Sequence, residues 1–578
     1  MNTRTGAEEL THALQRAGIE HVFGLPGTQN VALFEALRTS KLRTIVATNE
    51  LSAAMMANGY YRASGKLAVL LTIPGPGFTW ALTGLAEAKL DSAALLHITC
   101  TPATSPGQAF QLQALDQAAV AAPLVKRVFT LDHAEDAASV LSTAYAECLA
   151  GEPGPALVQV ANRVWDETAS GEIAATQAPD TTADADPMTL TAIASAITGA
   201  RRCVLLLGQG CAAAADLVTQ LADRLNAAVV TTTSGRGVIA EDHPLSLGFE
   251  LGGNNSETLN ALIEASDLVL AIGCKFSHNG SRGFRLRIPR DKLIHVDASQ
   301  RVLGANYPTR LAIRADARAF LDALLPHLDE TGETTRGFSA GEIAQWRERC
   351  RGEKARDLVE PRIRGVSSGK PETFFAALRG VMPRESSLIT DSGQHQGLAR
   401  IFFPVLCPRG LITPTNLQSM GFGIGAAIGA CMANPDRPVV ALIGDGGLAM
   451  SGLELLTAVR ERLRLTVIVF VDGAFGAIRN QQLGEFGHAF GTALPDLDCT
   501  ALARAIGATH LRLDGDPETV LRTALDSRGV TMVEVAVGDT LPMHLARVKG
   551  AAKSLLGPGA KASLRKLLGR GHTGSARR

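Results

Sequence analysis

Residues 439–482 restrict what this chain can be more than any other stretch. They open with a β-branched apolar run, 439–443, of the kind that forms a strand covered on both faces of a parallel sheet. The run stops at Gly444-Asp445-Gly446-Gly447, after which Leu448, Leu453, Leu456 and Val459 recur at roughly helical spacing. A second apolar run, 465–471, stops at Asp472-Gly473. Strand, glycine turn, helix and strand make a βαβ crossover. Parallel sheets bind ligands outside the carboxyl ends of their strands. This unit puts an acid at two such ends, Asp445 and, 27 residues later, Asp472. Carboxylates brought together repel unless a cation separates them. Hard oxygen donors suit Mg²⁺ or Ca²⁺, and Mg²⁺ commonly shares its shell with phosphate oxygens. The N–H groups of a glycine turn at a helix N-terminus would hold such phosphates. For Gly-Asp-Gly alone, an ordinary crossover whose acids cap and turn is an equal reading; the second acid tips the balance toward a metal–phosphate site.

The remainder of the chain repeats this plan. Short apolar runs alternate with helical patterns at 21–24, 43–47, 68–72, 94–99 and 155–160, and again at 203–207, 228–232, 268–272 and 293–296. That alternation predicts the α/β class, as three doubly wound parallel-sheet domains. A chain of 578 residues has room for three cores, and 46% hydrophobic with 4% aromatic residues suits them. The expected division is a first domain over 1–169, a polar linker over 170–187, a central domain over 188–329, a charged linker over 330–369, a third domain over 370–548 and a basic tail over 549–578. Lys+Arg and Asp+Glu balance at 56 each, which argues against a dedicated nucleic-acid or membrane-surface partner. Nine scattered cysteines without a CxxC pair read as reduced thiols, and no signal or transit character opens the chain, so a cytoplasmic protein is expected. No apolar run is long enough to span a membrane.

The 439–482 stretch resembles the thiamine diphosphate (ThDP) motif of ThDP-dependent enzymes, GDG followed just under thirty residues later by NN. Gly444, Asp445 and Gly446 match outright. Asp472 stands where the second Asn, a metal ligand, belongs, and Val471 replaces the first. The resemblance implies Mg²⁺ held by Asp445, Asp472 and the backbone carbonyl of Ala474, and ThDP contacts from Gly444, Gly446, Gly447, Ala474, Phe475 and Gly476. Glu50, in ATNELSAAMMANGYYRASGK, resembles the glutamate that hydrogen-bonds the pyrimidine N1′ of ThDP. That contact favours the imino form that deprotonates thiazolium C2. Taken alone, a Glu there is a helix N-terminal charge. The segment 72–99 resembles the TSGPG…AxxDSxPxxxIT pattern of acetolactate synthases. Phe110-Gln111 matches their Phe-Gln pair, which makes Gln111 a substrate-site candidate; a surface-loop Gln is the other reading. Ser392-Gly393-Gln394-His395-Gln396 resembles the diphosphate loop, assigning Gln394 and His395 to the cofactor. Residues 416–423 resemble the aminopyrimidine segment, in which the Gln418 carbonyl accepts from the 4′-amino group and Met420 wedges the cofactor into its V shape.

The central domain is similar to its acetolactate-synthase counterpart at residues 233–237, 241–245 and 270–273. Residues 251–255 and 275–278 depart from the pattern where FAD would be contacted, which puts FAD in doubt. Gly208-Gln209-Gly210 is a fragment of a dinucleotide loop or simply a βα corner. Together these matches imply an acetolactate synthase-like carboligase or lyase. Such an enzyme decarboxylates a small 2-oxo acid and passes the resulting enamine to a carbonyl acceptor. A homodimer or homotetramer would then build each site from Glu50 of one subunit and Asp445 of another. A simple 2-oxo acid decarboxylase is the alternative, and a non-catalytic ThDP-fold scaffold or regulatory subunit is the reading from another class.

Overall fold

Apolar runs bounded by glycine and acid become strands because both their faces can be covered. In the computed structural model every residue of Ala68–Thr72, Leu95–Cys100, Cys203–Leu207 and Leu268–Ile272 is buried. The structure describes residues 4–105, 107–169, 187–250, 256–331, 337–356 and 361–538. The expected first linker (but for its last residue, Pro187), the basic tail and the 251–255 run lie outside them.

Three parallel sheets result. In the first, six strands lie in the order Arg43–Val46, His21–Gly24, Ala68–Thr72, Leu95–Cys100, Pro155–Val160, Val128–Leu131. The central sheet runs Ser246–Glu250, Ala228–Thr231, Cys203–Leu207, Leu268–Ile272, Leu293–Asp297, Leu311–Arg314. The third has the path Arg362–Ile363, Val530–Gly538, Leu465–Val471, Val439–Gly444, Ser387–Thr390, Leu411–Ile412, with Thr509–Arg512 also paired to Val530–Gly538. Only Arg362–Ile363 runs antiparallel among these three. The α/β class expected from the sequence is the one observed.

Several elements escaped the apolar-run reading. Leu311–Arg314 and Thr509–Arg512 are partly exposed edge strands of four residues: the first is too short a run to announce itself, and the second has a single apolar residue. The stretch expected as a charged second linker holds the helix Ala340–Arg356, whose Ile343 and Cys350 are buried in the central core, and the strand Arg362–Ile363 of the third sheet.

The first and third units share one core, which runs from Phe23 to Met532. Its seam is the helix Glu50–Ser64 against Phe422–Ala433. A Cβ on Gly59 would lie 2.1 Å from the Ala426 carbonyl oxygen, and one on Gly429 1.9 Å from that of Met56. Only glycine allows two helix backbones that close. The central unit is held to the third by a buried pair. Arg236 Nε and Nη2 donate to Glu241 at 2.5 and 2.8 Å, and the same guanidinium donates to the carbonyls of Arg400 and Phe403. All nine cysteines are buried.

Candidate functional site

Parallel pairing decides where the 439–482 acids go. Thr390 is in register with Leu442, and Gly444 with Phe470, so three strands of the third sheet end side by side. A cavity of about 130 Å³ opens beyond those ends. It is lined by Gln394, His395, Met420, the turn Gly444–Gly447, Asp472, Ala474, Phe475 and Gly476. Eleven of the fourteen positions singled out from sequence thus meet at one place. Three helices, Gln394–Phe402, Asp445–Ser451 and Gly476–Phe486, begin at its wall and turn their partial positive ends toward it.

Asp445 is the first residue of its helix and is buried. Its Oδ2 accepts from the N–H groups of Gly473 at 2.8 Å and Asp472 at 3.2 Å, and its Oδ1 from Gly446 at 2.9 Å. Burial raises its pKa against these bonds. Asp445 therefore ties the ends of neighbouring strands together. Gly473, at φ 65°, makes the turn that delivers its N–H. The Asp472 carboxylate accepts from Ala474 N–H at 3.3 Å and from Arg479 Nη2 at 3.0 Å. It lies over the bare Cα of Gly476, where a Cβ would come within 2.1 Å of Oδ2. The Ala474 carbonyl accepts from Gly476 N–H at 2.8 Å and keeps a second lone pair.

His395 is the anion-side group. Burial pulls its pKa down to about 4, so the ring is neutral at pH 7. Its Nε2 is buried with no hydrogen-bond partner. An orphaned imidazole nitrogen in a cavity ringed by helix N-termini calls for an anionic partner, which would draw a proton onto it. Across the cavity, a Cβ on Gly446 would lie 2.9 Å from the Phe475 ring and 3.2 Å from Met420 Cε. The space between Met420 and the glycine turn therefore exists because residue 446 has no side chain. A diphosphate with a hard divalent cation fits these donors: two carboxylates, one carbonyl, the orphaned imidazole and the turn amides. Among the described residues no cluster of three or more His, Cys, Asp or Glu side chains is gathered for a metal, so a cation here would rely on that mixed set.

Three sequence-predicted residues stand apart from the cavity. Gln418 holds a left-handed backbone, φ 65°, two residues before Met420, and its side chain turns back to the Thr415 carbonyl. Gln111 spends its amide on its own loop, with bonds to Ser105 and to the Gln108 carbonyl, and does not reach the site. Glu50 begins the helix Glu50–Ser64 behind the cap Asn49, and its carboxylate lies over Gly77, where a Cβ would come within 2.7 Å of Oε1. It is absent from the wall of its own chain's cavity.

Two groups of supporting residues had no role assigned from the sequence. Asp391, fully buried at the end of Ser387–Thr390, accepts from Ser392 and Gly421 N–H at 2.7 and 3.0 Å, and burial pushes it up to about 6. It fixes the His395 loop to the Met420 loop; an acid directly after an apolar run was the available signal. The second group comes from the first unit's helix Pro76–Leu90. Asp91, its C-cap, accepts from Thr415 N–H at 2.9 Å and from Asn416 N–H and Nδ2 at 3.0 Å, and pairs with buried Arg62 at 3.3 Å. Glu87, one turn earlier, accepts from Ser419 N–H at 3.0 Å. The loop carrying Gln418 and Met420 is thus clamped from another unit, which no local pattern announces.

A second cavity, of about 340 Å³, lies at the carboxyl ends of the central strands. Its acids are Asp91, Glu152, Asp297 and Asp316, against Lys275 and Arg409. Lys275 is paired with Glu152 at 2.5 Å and Arg409 donates to the Tyr61 and Arg62 carbonyls. A Cβ on Gly208 would lie 1.7 Å from the Gly273 carbonyl oxygen, so Gly208-Gln209-Gly210 is a corner packed against a neighbouring strand end. The cavity's acids outnumber its cations and both cations are engaged, a lining with little to offer an anionic dinucleotide such as FAD.

Comparison with known proteins places this geometry. Residues 4–120, 190–324 and 391–535 match the N-terminal TPP binding, central and C-terminal TPP binding domains of thiamine pyrophosphate enzymes. The acetolactate synthase isozyme 1 large subunit of Escherichia coli K12 is 30% identical over 541 residues, 92% of this chain and 94% of that protein. The chain belongs to the thiamine pyrophosphate enzymes. Within that family its group is acetolactate synthase-like: the acetolactate synthase large subunit of Haemophilus influenzae is 27% identical over 96% of this chain and 98% of its own length. The probable 2-ketoarginine decarboxylase AruI of Pseudomonas aeruginosa is 30% identical over 92% and 94% respectively. Among the described residues no helix is long and apolar enough to cross a membrane.

Proposed function

We propose that the protein is a ThDP- and Mg²⁺-dependent carboligase acting on a small 2-oxo acid in the cytoplasm. The observation that carries the reading is the convergence of Asp445, Asp472 and the orphaned His395 Nε2 in one cavity ringed by helix N-termini. Asp445, Asp472 and the Ala474 carbonyl would hold the metal; His395, Gln394 and the turn amides would hold the diphosphate. Met420 would pack between the two cofactor rings, with the Gln418 carbonyl accepting from the 4′-amino group. When bound, ThDP supplies an electron sink that lets a 2-oxo acid lose CO₂ and its remaining carbons pass to a carbonyl acceptor.

About 130 Å³ accommodates the diphosphate end of such a cofactor and little more. Glu50, which would hold a proton at N1′, is absent from that wall. Both points support a site completed by a second copy of the chain, in a homodimer or homotetramer. Trp80, Leu417, Met450 and Leu453, exposed on elements flanking Glu50 and the cavity, are apolar surface that such a copy would cover.

The 30% identity to a protein named as a probable decarboxylase supports a second reading, in which CO₂ leaves and an aldehyde is released. Incubation with a panel of 2-oxo acids, with and without aldehydes, separates the two. Coupled hydroxy-ketone or 2-hydroxy-acid products are expected; aldehyde as the sole product would refute carboligation. Glu50→Gln is expected to abolish turnover while ThDP uptake persists, and full activity in that variant would refute the role of Glu50.

A further inference from the structure

We propose that Arg479 is a positioning residue of the cation site, latching the Asp472 carboxylate and cancelling its charge so that the pair acts as one neutral oxygen donor. The proposal rests on the reading of Asp445, Asp472 and the Ala474 carbonyl as ligands of a divalent cation.

Arg479 sits in the first turn of Gly476–Phe486, where a cation opposes the helix dipole. Local propensity does not put it there; Asp472 does. Nη2 donates to Asp472 Oδ2 at 3.0 Å and Nη1 to the Asp472 carbonyl at 3.2 Å. One planar group thus fixes both the side chain and the backbone of a single residue, which a lysine ammonium cannot do. Both side chains are largely buried, at 21% and 12% exposed, so the pair is only partly screened by solvent. Bare Gly476 leaves room for Oδ2, and Oδ1 faces Ala474 N–H. The carboxylate is held from both sides before any cation arrives.

Charge supplies the second argument. The diphosphate that would share the cation is itself strongly anionic. With two uncompensated carboxylates in the same cavity, the diphosphate would meet excess negative charge at short range in a partly desolvated space. The Arg479 guanidinium returns the balance to that of a site with one carboxylate and one amide donor.

The test is a double-mutant cycle on cofactor binding, not on turnover. Full-length wild type, R479A, D472N and D472N/R479A are stripped with a chelator, and ThDP is titrated in at fixed excess Mg²⁺ by calorimetry. Melting of each stripped protein checks that it is folded; if R479A is not, R479K takes its place in the cycle. The expected result is about tenfold weaker ThDP binding for R479A, the worth of a charge-assisted bond. D472N/R479A should bind within about twofold of D472N, because the carboxylate charge that the arginine cancels is gone. R479K should fall between wild type and R479A. Wild-type affinity in R479A, or the same loss from R479A with and without D472N, overturns the proposal. Wild-type protein that takes up ThDP equally well without Mg²⁺ overturns the cation-site reading instead, before the cycle is examined.

Discussion

Glu87 is the buried acid whose removal has the most specific consequence. It is fully buried, and burial followed by repulsion from Asp91 pushes its pKa from 4.5 up to about 7. The two acids differ in their surroundings. Asp91 faces the Arg62 guanidinium and three N–H donors, whereas Glu87 has Ser419 N–H on Oε2 and a buried Oε1 with no partner. Between pH 4.5 and 7 the native chain therefore holds a proton that the unfolded chain releases, and stability falls as pH rises through that window. At about 1.4 kcal/mol per pH unit the full loss is roughly 3 kcal/mol, complete above pH 7. Glu87→Gln keeps the shape and the acceptor for Ser419 and removes the titration. Thermal melts of both proteins from pH 4 to 8.5 should nearly coincide at the acid end and diverge through the window. At pH 8 the variant should melt higher by roughly 5–10 °C, if the transition is that of a unit of 150–250 residues. A melting difference that is constant with pH, or one in which wild type gains on the variant as pH rises, refutes the reasoning.

Breaking the Arg236–Glu241 pair by Glu241→Ala removes the buried carboxylate that faces this guanidinium and should cost about 3–5 kcal/mol, read as earlier melting and as faster proteolysis between the central and third units. Gly446→Ala fills the gap beside Phe475 and Met420 and should weaken ThDP uptake at least tenfold while the melting of the cofactor-free protein changes little, by calorimetry and thermal scan. Gly447→Ala would bring a Cβ to 2.5 Å from Asp391 Oδ2, so it should instead lower stability by about 1–3 kcal/mol, measured by denaturant unfolding.

The sheet architecture could be read from the sequence because a strand covered on both faces must be a continuous apolar run. The runs at 68–72, 203–207 and 439–443 needed no context. Asp445 and Asp472 were legible as a pair for the same reason: a crossover of fixed sense returns neighbouring strands to one edge, and sequence spacing becomes spatial proximity. Arg479 could have been noticed seven residues after Asp472, but its role depends on a turn whose path the sequence does not state. The clamp of Asp91 on Thr415 and Asn416 lies beyond any pattern, since it joins residues more than three hundred positions apart. Gln111 is held within its own loop by bonds to Ser105 and Gln108 and, like Glu50, lies away from its own chain's cavity.

The glycine-paired helices Glu50–Ser64 and Phe422–Ala433 set a timetable for the chain. The first of these helices leaves the ribosome early, yet the surface that covers it is not made until the whole central unit has been translated. At about 5–20 residues per second that interval is roughly 20–70 s. Through it Met55 and Met56, which meet Gly425 and Gly429 in the finished seam, lack that cover. The seam between the first and third units can therefore close only after the central unit has been made, and it is among the last parts of the molecule to form.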